Sequence, residues 1–136
     1  MGGIGDDYGE GIALDIYGNV FTNGSFESAA DFDPGPSVYN LSSAGVSDVF
    51  VSRLDNSGLF DWAQRIGGSS SDYSNSIKLD ALGNIYVTGS YNSACDFDPG
   101  PSFYFLVSNG LRDFYVFKLN VAGSFVWAKS IGGDSG

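Results

Sequence analysis

Gly83-Asn84-Ile85-Tyr86-Val87-Thr88-Gly89 sets a turn dipeptide ahead of alternating β-branched and aromatic residues and closes on a second glycine. Such a run behind a Gly-Asn turn reads as a strand leaving a tight turn. A closely related string stands earlier in the chain as Gly18-Asn19-Val20-Phe21-Thr22-Asn23-Gly24. In that register Gly2-Gly3 recurs as Gly67-Gly68 and again as Gly132-Gly133. Asp7-Tyr8 matches Asp72-Tyr73, Leu14-Asp15 matches Leu79-Asp80, and Trp62-Ala63 matches Trp127-Ala128. The segment Asp31-Phe32-Asp33-Pro34-Gly35-Pro36-Ser37 returns unchanged as Asp96 to Ser102, and about half of all positions are identical without a gap. That is internal duplication, the pattern of a repeat architecture.

Inside one unit, four segments carry strand character between turn signals: Gly11 to Asp15, Val20 to Gly24, Asp48 to Asp55, and Leu59 to Ile66, the last closed by Gly67-Gly68. A shorter strand is expected over Ser37 to Leu41, and no stretch shows a capped helical period. Four antiparallel strands at a fixed period match a β-propeller blade better than a solenoid, whose coils are shorter, or a sandwich, which does not repeat so closely. The expected fold is therefore all-β, with two four-stranded blades: residues 1–66, residues 67–131, and 132–136 as the start of a next repeat or a tail. Asp15 and Asp80 are expected to bond turn amides, with Gly18 and Gly83 supplying positive φ. Trp62 and Trp127, with Phe60 and Phe125 on the same strand face, read as packing between neighbouring blades.

Sixteen acidic residues face six basic ones and no histidine, for a formal charge of -10. That balance repels phosphate backbones and anionic lipid, so nucleic acid and membrane surfaces are poor partners. Without histidine, Ser-His or Cys-His nucleophiles and histidine metal sites are excluded. Cys95 is the single cysteine, matched by Ala30 in the first copy, and reads as a small buried residue. The start Met1-Gly2-Gly3-Ile4-Gly5 lacks the regions of a signal peptide, so any targeting segment is expected outside this chain.

Ile77-Lys78-Leu79-Asp80, Gly83 to Gly89, Asp113-Phe114-Tyr115-Val116-Phe117-Lys118-Leu119 and Phe125-Val126-Trp127-Ala128, closed by Ile131-Gly132-Gly133, carry a family resemblance. These units resemble the bacterial β-propeller repeat called SBBP and, more distantly, the NHL repeat. The resemblance implies an extracellular or cell-surface setting in a bacterial parent protein. It carries no single activity, because propellers host many functions. The Asp-Phe-Asp-Pro-Gly-Pro segment is an insertion that lengthens the unit.

Two blades leave both outer faces of the pair exposed, so homo-oligomerisation is expected, three or four chains completing a six- or eight-bladed ring. The chain then reads as an excised or designed fragment that self-assembles, or as a piece of a longer array. The sharpest site candidates are Asp31, Asp33, Asp96 and Asp98. Alternate aspartates before a glycine resemble the opening of a calcium loop, but a third side-chain oxygen and a distal glutamate are missing. The four prolines make a rigid structural turn the preferred reading. Asp7, Asp72, Asp48 and Asp113 are expected to bond backbone amides rather than act in catalysis. The expected role is a non-enzymatic propeller scaffold or interaction module, with calcium as a possible stabiliser. A carbohydrate-binding propeller and a fragment of a glycosidase are the alternatives.

Overall fold

The structure, a computed structural model, describes residues 2–133 and is built from strands alone. In chain order these are β1 (Gly2–Gly3), β2 (Asp7–Leu14), β3 (Val20–Phe26), β4 (Ala29–Asp31), β5 (Asn40–Ser42), β6 (Asp48–Leu54), β7 (Phe60–Gly68), β8 (Tyr73–Leu79), β9 (Ile85–Tyr91), β10 (Ala94–Asp96), β11 (Phe105–Val107), β12 (Asp113–Leu119) and β13 (Phe125–Ile131). Within each repeat the long strands form an antiparallel meander, β2-β3-β6-β7 and then β8-β9-β12-β13. The short strands β4-β5 and β10-β11 form hairpins that rise from the connection between the second and third long strands. The tail assigned to 132–136 is described only through Gly133; 134–136 lie outside the described residues.

Turn chemistry sets the hairpins as the sequence predicts. Asp15 Oδ1 accepts the amides of Tyr17 and Asn19, both at 2.9 Å, and Asp80 Oδ1 accepts those of Leu82 and Asn84. Gly18 and Gly83 follow at positive φ, where a side chain is strained. A bulge between Gly9 and Gly11 lets β2 run from Asp7, ahead of the expected start at Gly11.

A second bulge corrects a face assignment. Arg53 pairs with Trp62 while the adjacent Leu54 pairs with Phe60, so one extra residue at Asp61 turns Phe60 and Trp62 to opposite faces. Trp62 meets Phe21 edge-on at 6.2 Å, whereas Phe60 packs on Tyr39 at 4.9 Å. The second repeat repeats this divergence, with Trp127 on Tyr86 and Phe125 on Tyr104. Only the tryptophan of each pair lies on the face its blade turns to the next one.

The main core lies between the two meanders. Phe21, Val49, Val51 and Ile66 of the first are buried against Ile77, Val87, Phe117 and Leu119 of the second. A smaller cluster of Phe26, Ala30, Phe32 and Phe50 packs on the opposite face of the first meander.

Candidate functional site

The strand β7 is where sequence reading missed most. It does not stop at Ile66 but continues through Gly67-Gly68, leaves its own meander, and pairs with the next repeat's hairpin: Gly67 opposite Asp96 and Gly68 opposite Cys95. One six-stranded sheet, β11-β10-β7-β6-β3-β2, therefore straddles both repeats.

The double glycine is demanded by what crosses it. A Cβ on Gly67 would collide with the Asp48 carboxylate, and one on Gly68 with the Ala94 carbonyl oxygen. Asp72 then accepts the Gly68 amide at 2.8 Å and the Asn92 amide at 3.4 Å. Side-chain bonds add to the junction: Asn23 Nδ2 donates to Ser74 Oγ, the Ser74 amide donates to Ser25 Oγ at 3.1 Å, and Gln64 Nε2 donates to the Gly123 carbonyl at 3.2 Å. Trp62 lies flat on Gly123, where a Cβ would stand 3.1–3.2 Å from its ring.

Each of these features recurs at the outer faces without its counterpart. Ile77 is 3% exposed, but its equivalent Ile12 is 68% exposed. Val49 and Ile66 are 0% and 1% exposed, whereas their equivalents Phe114 and Ile131 stand at 43% and 61%. Among the described residues, no atom lies within 4 Å of a Cβ built on Gly58 or on Gly133, the equivalents of Gly123 and Gly68. A mostly apolar cavity of about 430 Å³, lined by Gly2, Asp7, Tyr8, Thr22, Phe32 and Phe50, opens on the outer face of the first meander. The first meander thus presents an empty seat, and the second presents the face that fills such a seat inside the chain.

The four loop aspartates build turns. Asp31 Oδ1 accepts the amides of Asp33 and Tyr39, and Asp33 Oδ1 accepts that of Gly35 at 2.7 Å. Asp96 and Asp98 repeat the pattern with Asp98, Tyr104 and Gly100. The amide bonds hold the Asp31 carboxyl below the usual range. Phe32 and Phe97, both buried, anchor the loops to the blades. Among the described residues no three His, Cys, Asp or Glu side chains gather around one point, and calcium takes six to eight oxygens. The loops supply two carboxylates each, and every one of them already accepts backbone amides.

The strand-opening aspartates are buried and also bond amides. Asp48 accepts from Ala44 at 2.8 Å and from Arg65 Nη1 at 2.9 Å; burial pushes its carboxyl up despite both. Asp113 accepts from Asn109 at 2.9 Å, while its Oδ1 has no hydrogen-bond partner among the described residues. Asp7 accepts the Gly3 amide at 2.8 Å, as Asp72 does that of Gly68. Cys95 is buried, and desolvation pushes its thiol far up, as suits a packing residue.

Antiparallel four-stranded meanders packed face to face, with a shared strand at the junction, define a β-propeller-type architecture. Residues 61–94 match the SBBP β-propeller repeat family model, a stretch that spans the Gly67-Gly68 crossing. The chain is also similar to an uncharacterized WD repeat-containing protein of Acanthamoeba polyphaga mimivirus, at 26% identity over 110 residues. That match covers 69% of this chain and only 8% of the relative's length. The chain therefore carries a β-propeller repeat.

Proposed function

We propose that the chain is a non-enzymatic ring-building module, each copy contributing two blades and docking head to tail until the ring closes. The observation that carries this reading is the repeated junction: Phe114, Ile131 and Trp127 occupy, on the outer face of the second meander, the positions that Val49, Ile66 and Trp62 hold inside the chain. A second copy offers them the seat around Ile12 and Phe50, with Gly58 open to receive Trp127 as Gly123 receives Trp62. Three copies give six blades and four give eight.

The seat is more polar than its internal counterpart. Thr22 and Ser52 stand where Val87 and Phe117 stand in the second meander, but their hydroxyls bond each other at 2.6 Å. A pair already satisfied internally is buried at little cost.

Light scattering coupled to size exclusion tests the reading. A discrete trimer or tetramer is expected at tens of micromolar protein, and Trp127→Ala should dissociate it. A wild-type protein that stays monomeric up to about 100 µM, where even weak specific contacts register, overturns the proposal.

A further inference from the structure

Resting on the head-to-tail reading, we infer that Gly2-Gly3 occupies the docking edge of its own chain, so that ring closure is a strand exchange in which Gly132-Gly133 of a second copy displaces it. The register makes the two exclusive. β1 pairs with β4 as Gly2 opposite Asp31 and Gly3 opposite Ala30. At the internal junction β7 pairs with β10 as Gly67 opposite Asp96 and Gly68 opposite Cys95, the equivalent positions. A second copy that repeats the internal geometry must place Gly132 opposite Asp31 and Gly133 opposite Ala30, on backbone groups that β1 already holds.

The incoming strand replaces the resident bond for bond. Asp7 now takes the Gly3 amide at 2.8 Å, and it would take the Gly133 amide as Asp72 takes that of Gly68. Ladder bonds and the carboxylate contact therefore nearly cancel between the two states. What differs is what the incoming glycines bring with them. Gly132 follows Ile131 of β13, which pairs with Phe114 of β12; both are exposed in the lone chain and placed to cover the cavity beside Phe50. Burial of Ile131 and Phe114 drives the exchange, and β1 sets the concentration at which it happens. The edge strand is covered in the lone chain and becomes available only to a matching strand, which also guards it against unrelated pairing.

Two equivalent glycines give opposite expectations, and that separates exchange from simple docking. A Cβ on Gly3 would collide with the Ala29 carbonyl oxygen, so Gly3→Ala weakens β1 on β4. A Cβ on Gly133 meets nothing within 4 Å among the described residues, so Gly133→Ala leaves the lone chain intact. Once docked, however, that Cβ would strike the same Ala29 carbonyl. Sedimentation velocity across a dilution series should show the association midpoint of Gly3→Ala falling about tenfold and that of Gly133→Ala rising by at least as much. The melting temperature of dilute Gly133→Ala should match wild type. If wild type assembles and both variants share its midpoint, exchange is overturned while head-to-tail assembly stands. If neither wild type nor Gly3→Ala associates, the assembly reading falls with it.

Discussion

The two meanders share a buried aspartate at the start of their third long strand, yet they stabilise it by different means. In the first, Asp48 faces Arg65, and the neighbouring position 26 is phenylalanine. In the second, the equivalent of Arg65 is Ser130 and that of Phe26 is Tyr91, whose hydroxyl donates to Ser130 Oγ at 2.7 Å. Ser130 in turn lies 3.5 Å from Asp113 Oδ2. A cation holds the carboxylate in one copy and a chain of hydroxyls reaches it in the other. The faces differ too: the second meander buries Val87 and Phe117 where the first shows Thr22 and Ser52. The two meanders keep one backbone pattern, while their side chains differ in pairs, with partners changing together.

The largest effect is expected at the core face. Phe117 is fully buried and touches Phe97 and Tyr115 at ring distances of 5.9 and 5.6 Å. Phe117→Ser, which copies the first meander's residue into the second, should cost about 4 kcal/mol, the range for emptying a large aromatic site. Ser52→Ala should cost about 1 kcal/mol, the worth of its bond to Thr22. Urea midpoints compare the two directly; similar losses would mean that the junction is not the main core.

Next comes the cation. Arg65→Ser leaves Asp48 buried with only amide donors, a change that is strongly destabilising when both partners of a pair are buried. The Arg65 side chain is 37% exposed, however, so solvent screening reduces the loss. Its urea midpoint should therefore fall between those of Ser52→Ala and Phe117→Ser. Adding Phe26→Tyr rebuilds the second meander's hydroxyl chain in the first and should recover part of that loss. A double-mutant cycle reads the coupling, expected at about 0.5–1 kcal/mol. If Phe26→Tyr has the same effect with arginine or serine at 65, the two positions are independent and the paired divergence is accidental.

What made part of this legible beforehand is periodicity. Alternation in Val20 to Gly24 and Asp48 to Asp55 marks strands because each long strand has a buried face. The aspartates of the turns and of the Asp-Phe-Asp-Pro-Gly-Pro loops were readable because local side-chain-to-amide bonds depend on sequence spacing alone. The crossing at Gly67-Gly68 was not readable: glycine has no side chain to alternate, and its pairing partner Ala94–Asp96 lies far along the chain. The divergence of Phe60 from Trp62 was hidden for a related reason, since a bulge at Asp61 breaks the period-two count that faces are read from. Burial of Asp48 and Asp113 was equally invisible, because it comes from the loop before each strand and the glycine that ends the fourth strand of the same repeat: Ala44 and Gly67 around Asp48, Asn109 and Gly132 around Asp113.

The smallest effect concerns a pair that differs only in being covered. Asp7 and Asp72 accept equivalent glycine amides, those of Gly3 and Gly68, but Asp7 is exposed and Asp72 is fully buried. Desolvation pushes Asp72 up to about 6 against the pull of the Gly68 amide, with the Asp48 carboxylate adding to the push and Arg112 opposing it. A carboxyl raised in the folded state contributes stability that is fully present below its unfolded value of 3.8 and is lost as pH rises through about 6. The turn aspartates run the other way. The Asp31 and Asp80 carboxyls are held low, Asp31 by the amides of Tyr39 and Asp33 and Asp80 chiefly by the Asn84 side chain, so their contribution is lost as pH falls below the usual range. The opposing slopes place the maximum melting temperature between about pH 4 and pH 6, with a fall of a few degrees toward pH 7. Asp72→Asn removes one of the two carboxyls that burial raises and should reduce that fall, leaving the part that Asp48 contributes. A fall that survives Asp72→Asn unchanged would show that burial at the junction is not its source.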